Sequence, residues 1–138
     1  MAASADRFCD KKNVFGLREF LMTASTTIYA GTMVMVDTTT GLALPAADTA
    51  SCKVVGVATK QVTSAASGSY YIEVEYGEFK MAASSIAQGA VGDLMYVVDD
   101  QTVDETTPAN SVKAGILTEY VSATVGWVLI SPFSNSCL

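Results

Sequence analysis

The chain has 138 residues and a formal net charge of −6, with 14 acidic and 8 basic side chains. This length predicts one domain whose core is large enough to fold without a metal or a disulfide. So few Lys and Arg argue against a nucleic-acid partner, because phosphate contacts need clustered cations. No apolar run reaches the roughly 20 residues of a membrane-spanning helix, and the charged N-terminus lacks the apolar core of a signal peptide. We therefore expect synthesis in the cytoplasm and no membrane partner.

Histidine is absent, which removes the imidazole nucleophile systems and the common imidazole metal sites. The three cysteines, Cys9, Cys52 and Cys137, are far apart and form no CxxC pair. We therefore expect reduced, unpaired thiols instead of a zinc site or a redox pair. The composition predicts no metal and no cofactor.

Residues 1–26 are expected to form an extended N-terminal arm, distinct from the rest of the chain. This segment holds three of the five phenylalanines and the only small basic cluster, Lys11, Lys12 and Arg18. Leu17–Met22 permits a short helical turn, although Gly16 weakens it. The arm either folds back on its own barrel or reaches a partner, where it would bury apolar side chains that a lone barrel cannot. The candidate contacts to a partner or to another subunit, one of them near the C-terminus, are Phe8, Val14, Phe15, Leu17, Phe20 and Phe133.

Residues 27–138 predict a single all-β domain, a compact barrel or a sandwich. Short runs rich in Val, Ile, Thr and Tyr alternate with Gly, Asp, Ser and Pro, which is typical of strands and turns. The glycines sit singly and are expected at strand edges, as turn residues. The predicted strands are Thr27–Asp37, Gly41–Ala43, Lys53–Val62, Ser69–Tyr76, Glu78–Ala82, Leu94–Asp99, Val112–Tyr120 and Gly126–Ile130.

Periodicity predicts which strand faces are buried. In Tyr71–Tyr76 the alternation places Ile72 and Val74 on one face and Glu73 and Glu75 on the other. The first face is therefore expected in the core and the second in contact with solvent. Val34–Val36 and Trp127–Ile130 are apolar at every position, which predicts strands that are covered on both faces, by the rest of a barrel or by another chain.

A weak internal sequence repeat, with an offset of about 60 residues, relates the two halves of the β-rich domain. Asp99 takes the place in the second half that Asp37 takes in the first, after an apolar run and before a turn containing Thr. Asp suits such a position because its side chain bonds the local backbone. The recurring acid predicts a structural role in two equivalent turns.

Two acidic groups are candidate sites of chemistry. Asp99–Asp100 begin the densest acidic stretch, DDQTVDETTPAN, which lacks the glycine of a calcium loop and is expected to be a solvated loop. Glu73 and Glu75 share a strand face roughly 7 Å apart, close to the separation of glycosidase carboxylates. Only Tyr71 offers an aromatic platform beside them, so an exposed polar face is the expectation there. The sequence predicts no catalytic residue and no enzyme.

An ordered set of short motifs runs along the chain. They are AGxxV at Ala30–Val34, VGVA at Val55–Ala58, GxF at Gly77–Phe79, GDxxY at Gly92–Tyr96, a Gly-Ile return at Gly115–Ile116 and a closing apolar strand at Trp127–Ile130. In this order they resemble the small capsid cement, or head decoration, proteins of tailed bacteriophages, over roughly residues 28–131.

This resemblance implies a β-barrel-like protein on the outer surface of the virion. It would bind the major capsid protein of the assembled head, as a homodimer or homotrimer, and clamp neighbouring subunits against the pressure of packaged DNA. Two alternatives stay open. One is another structural virion component, of tail or fibre; the other is a small carbohydrate-binding β module that uses Glu73, Glu75 or Asp99–Asp100.

Overall fold

The structure, a computed structural model, describes residues 2–67 and 69–131 and consists almost entirely of β-strands. The only helical element in these ranges is a 3-10 turn at Gln88–Ala90, and none of these residues forms a helix that could cross a membrane. The strands are β1 (Lys11–Leu21), β2 (Thr27–Ile28), β3 (Met33–Asp37), β4 (Ala43–Pro45), β5 (Cys52–Ala58), β6 (Val62–Thr63), β7 (Tyr71–Ala83), β8 (Leu94–Asp99), β9 (Thr102–Asp104), β10 (Lys113–Ser122) and β11 (Val125–Ile130).

Five strands close into a barrel in the order β7-β9-β8-β10-β11, with β11 pairing back to β7. The β7–β9 pair is parallel, whereas the other barrel pairs are antiparallel. β5, β3 and β4 extend the sheet outward from β7, and β2 pairs with β6 in a separate small sheet. Closure removes the open edges of these five strands. The all-β prediction is confirmed, in its barrel form.

β7 is the longest strand and connects two hydrophobic cores. In its first half Ile72 and Val74 are buried on one face, as predicted, and they pack in a smaller cluster outside the barrel. In its second half Phe79 and Met81 are buried on the opposite face and fill the barrel. The alternation of buried positions changes phase at Tyr76–Gly77. Since each fully buried side chain of this size contributes about 1.5–3 kcal/mol, both faces of β7 stabilise the fold.

Coverage on both faces is confirmed for β3. Met33 and Met35 face the barrel core, while Val34 faces the smaller cluster and Val36 packs against it. On β11, Val128 and Ile130 are buried and Trp127 is half-buried within this chain, so coverage of both faces of β11 stays a prediction. The outer face of β11 is covered at Trp127 by the Lys12 ammonium, 4.6 Å from the ring centroid, which is a cation–π contact.

Several predicted boundaries are corrected. Predicted strands 69–76 and 78–82 are one strand, because Gly77 continues the ladders instead of ending them, so its predicted place at a strand edge is wrong. Predicted strand 27–37 is divided at Gly31, whose φ is 78°, a conformation that glycine adopts without strain. Thr102–Asp104 form a strand where the sequence predicts a loop. The helical turn predicted for 17–22 is wrong, since Leu17–Leu21 pair with β7. The division of the chain into an arm, residues 1–26, and a β-rich domain, residues 27–138, stays a prediction.

Candidate partner-binding surface

The second half of the predicted arm, Lys11–Leu21, is a strand of the chain's own sheet. β1 pairs antiparallel with β7, from Lys11 opposite Phe79 to Leu21 opposite Tyr71. The residues before β1 are tied to the barrel by backbone groups. The Ala3 N–H donates to Asp100 Oδ1 at 2.7 Å, and the Lys80 N–H donates to the carbonyl oxygen of Asp10 at 2.9 Å. This segment is therefore held in place through most of its length.

Four of the predicted contact residues are exposed although their backbone is held. The exposed fractions are 87% for Phe8, 46% for Val14, 59% for Phe15 and 55% for Leu17. β1 is an outer strand with two register shifts against β7, and most of its residues are exposed. Bulges of this kind are common at sheet edges, where they change the direction of side chains. The result is a row of apolar side chains pointing into solvent.

The remaining two candidates have different outcomes. Phe20 is half-buried and packs against the smaller core cluster, which includes Ile28 and Ile72. Its first role is therefore to anchor the end of β1. Phe133 lies outside the described residues.

Register and alternation place part of the exposed row on one face. Leu17 is opposite Glu75 and Val14 is opposite Gly77, and directly opposed residues share a face of the sheet. Tyr71, which is 54% exposed, lies on the same face because it is an even number of positions from Glu75. Phe8 lines a hollow together with Lys11 and Glu75. We call this surface the β1 face. It consists of the apolar or aromatic residues Phe8, Val14, Leu17 and Tyr71 and the charged residues Lys11, Glu19, Glu73 and Glu75.

The charges on the β1 face are unevenly arranged. Lys11 Nζ lies 2.8 Å from both carboxylate oxygens of Glu75, so this pair is neutralised within the chain. Farther along, Glu19 is directly opposite Glu73, and Glu73 accepts a hydrogen bond from Thr59 Oγ1 at 2.9 Å. Like charges in opposed positions destabilise a strand pair. Glu73 and Glu75, predicted to lie together on an exposed polar face, do share a face, but each is engaged by another side chain.

The Asp99–Asp100 pair is not a solvated loop, which corrects the prediction. Asp99 is 8% exposed and Asp100 is 2% exposed. Burial raises the pKa of Asp100, and the charge of Asp99 adds to the effect, against the lowering by the hydrogen bond from Ala3. No local pattern could have predicted this burial, because the donor that reaches Asp100 is 97 residues away in sequence.

The predicted turn role of Asp37 and Asp99 is confirmed. Asp37 Oδ1 accepts the Thr39 N–H at 2.7 Å, and Asp99 Oδ1 accepts the Gln101 N–H at 3.0 Å. Each carboxylate therefore bonds the backbone two residues ahead, as Asp does in tight turns.

Within residues 2–67 and 69–131, no group of three or more Cys, Asp or Glu side chains is placed to hold a metal ion. Cys9 and Cys52 are free thiols, and burial raises the pKa of Cys9, which disfavours the reactive thiolate. Cys137 lies outside these ranges. The feature with the clearest chemical consequence is thus the exposed apolar row, which can bind a partner by burial.

No protein-family model, curated protein or solved structure matches this chain.

Proposed function

We propose that the chain is a non-enzymatic capsid decoration protein. It would bind the outer surface of an assembled phage head through the major capsid protein and stabilise the head against the pressure of packaged DNA. The observation that carries the proposal is the exposed apolar row of Phe8, Val14, Phe15 and Leu17. Extended apolar patches on soluble proteins commonly mark interaction sites, and the motif order from Ala30 to Ile130 supports a decoration role.

The fold suits this task physically. A closed barrel with both faces of β7 packed gives a stiff support for an exposed strand. Decoration of a head offers many equivalent sites, and several weak contacts within one oligomer multiply into tight attachment. A net charge of −6 favours solubility before assembly. The Lys11 and Thr59 contacts to Glu75 and Glu73 give the carbohydrate-binding alternative no free carboxylate pair, and no observation favours a tail or fibre role.

The test is co-sedimentation of purified variants with mature heads assembled without this protein. Deleting the arm is unsuitable, because the deletion would remove the β7 partner strand. Phe15→Ser removes one exposed ring and leaves β1 in place. Because a buried Phe contributes about 1.5–3 kcal/mol, we expect head binding to weaken at least about tenfold at an unchanged melting temperature.

Val121→Ser is the matched control, since Val121 is an exposed apolar residue of β10. It should bind heads like the wild type. Undiminished binding by variants at Phe8, Phe15 and Leu17 together would overturn the role of the exposed row.

A further inference from the structure

We propose that Arg7 and Phe8 form a binding site for an acidic segment of a partner protein. The Arg7 guanidinium would bind a carboxylate, and the Phe8 ring would cover an apolar residue next to that acid. The identity of the partner rests on the proposed function, since the partner would be the major capsid protein. The carboxylate site itself is a property of this chain and can be tested without a head.

The Arg7 side chain is held in place by its own chain. The Arg7 N–H donates to the carbonyl oxygen of Ala30 at 2.9 Å, and Nη1 donates to the carbonyl oxygen of Gly31 at 2.9 Å. Gly31 allows this approach, because a Cβ there would lie 2.8 Å from Arg7 Cγ. A guanidinium that is already oriented loses little conformational entropy when it binds a ligand.

Arg7 has no acidic partner among residues 2–67 and 69–131. The ion pairs of these residues are Lys11–Glu75, Lys12–Glu119 and Lys80–Asp10. The neighbouring Asp6 accepts the Ala30 N–H at 2.9 Å instead. Burial is the largest cause of the raised pKa of Asp100, and the charge of Arg7 only opposes it, without forming an ion pair. The guanidinium is therefore a fixed cation whose charge no carboxylate of these residues contacts.

Two hollows in the surface meet at Arg7. One, of about 200 Å³, also contains the ion-paired Lys11 and Glu75. The other, of about 260 Å³, contains the ion-paired Lys80 and Asp10. Because the other charges of each hollow neutralise one another, the guanidinium supplies the excess positive charge of both. A local positive excess favours an anionic ligand, even on a chain whose net charge is −6.

The guanidinium keeps donors for a bidentate contact. Arginine has five N–H donors, and the bonds of Arg7 to Gly31 and, at 3.5 Å, to Met81 Sδ both come from Nη1. Nε and Nη2 have no acceptor in the part of the chain that the structure describes. These two nitrogens form one edge of the planar group, which matches the two oxygens of a carboxylate.

Phe8 makes an acidic protein segment a better fit than a free inorganic anion. Its side chain is 87% exposed and lines both hollows together with Arg7. A free anion would leave the ring in solvent, whereas a segment with an acidic and an apolar residue side by side would cover the ring and pair the guanidinium. Aromatic residues and arginine are both enriched at protein interfaces.

NMR titration of the isotope-labelled wild type with the peptide acetyl-Asp-Phe-Asp-amide tests the site without a head. We expect saturable shifts of the Arg7 Nε–H and the Gly31 N–H, with a dissociation constant on the order of millimolar. Acetyl-Asn-Phe-Asn-amide has nearly the same shape without the charges and should bind at least about tenfold more weakly. Equal binding of the two peptides, or inorganic phosphate binding as tightly as the acidic peptide at equal ionic strength, would overturn the proposal.

Co-sedimentation with mature heads tests the same site with the whole partner. Arg7→Gln removes the charge and should weaken head binding at least about tenfold. Arg7→Lys keeps the charge without the planar fork and should recover only part of the affinity. Lys60→Gln removes the charge of an exposed lysine and should bind like the wild type. Melting curves identify an Arg7 variant that fails to fold, in which case the peptide titration of the wild type decides.

The two experiments separate a failure of this proposal from a failure of the proposed function. A wild type that does not bind heads would overturn the decoration role, and the peptide titration would still decide the carboxylate site. A wild type that binds heads no better than a folded Arg7→Gln variant would overturn the role of Arg7 and leave the decoration role standing.

Discussion

The carboxylate of Glu78 joins three strands. Glu78 lies in β7 and accepts hydrogen bonds from Thr118 Oγ1 of β10 at 2.6 Å and from Asn13 Nδ2 of β1 at 2.9 Å. The bond from Thr118 is the main reason that the pKa of Glu78 lies below its ordinary value of 4.5, with Asn13 and Lys12 adding to it against partial burial. A lowered carboxyl pKa stabilises the folded state above the unfolded-state pKa, and this contribution is lost as pH falls through the folded-state pKa.

Thr118→Val should therefore destabilise the fold by about 1 kcal/mol at neutral pH. The difference from the wild type should shrink below pH 4.5, because protonation of Glu78 removes the same contribution from the wild type. Urea unfolding across this pH range measures both effects. Thr107→Val, at an exposed loop position, is the control, and a deficit that stays constant with pH would refute the link to Glu78.

Asp100 has the opposite linkage. Burial raises the pKa of its carboxyl above 3.8, so ionisation at neutral pH costs stability, and that cost disappears as pH falls toward the ordinary carboxyl range. Asp100→Asn keeps an oxygen for the Ala3 N–H and removes the charge. We expect the variant to unfold at higher urea than the wild type at pH 7, with the advantage narrowing on acidification. A variant less stable at every pH would show that the charge itself holds residues 3–10.

Among the strands, β1 and β7 are the pair on which the candidate surface depends. A Cβ added at Gly77 would meet the carbonyl oxygen and carbon of Asn13 and Val14 Cα, so this glycine permits the close approach of β1. The backbone approach is independent of the exposed side chains. The position of the apolar row is thus set by a residue that does not belong to it.

Gly77→Ala should separate the first half of β1 from β7 and destabilise the protein by about 1–3 kcal/mol. Hydrogen exchange should show protection lost in β1 before β10. Gly89→Ala is the control, because a Cβ there meets no atom within 4 Å. Unchanged protection of β1 in Gly77→Ala would contradict the close-approach argument.

The elements that sequence predicted best are those with a regular local pattern. Strand Leu94–Asp99 was predicted with the observed bounds, because its apolar run ends at two acidic residues, Asp99 and Asp100, that favour a turn. β1 was not predicted as a strand, since it is exposed on both faces and has two register shifts, so period-two alternation is lost. The change of phase in β7 was not predicted either, because Gly77 suggested a turn. In the structure its lack of a side chain instead leaves room for the backbone of Asn13.

The surface was partly predictable as well. The sequence predicts contacts at Phe8, Val14, Phe15 and Leu17 because they are apolar and lie outside the regular β pattern, and all four are exposed. The Lys11–Glu75 pair was not predicted, because 64 residues separate its members. From the sequence, Tyr71 is a candidate only for a sugar platform, although its alternation with Glu73 and Glu75 also predicts that it shares their face.

At the scale of the whole molecule, a closed barrel carries one outer strand, β1, most of whose residues are exposed. We propose that the exposed side chains of Phe8, Phe15 and Leu17 make the capsid contact. An oligomer would carry several such contacts, which would strengthen attachment through avidity.

The most direct measurement is quantitative co-sedimentation of the wild-type protein with mature heads and with unexpanded proheads. The decoration account predicts saturable binding to mature heads, at a stoichiometry fixed by the symmetry of the head, with little binding to proheads. Absence of saturable binding to either particle would contradict the account, whatever the oligomeric state of the protein in solution.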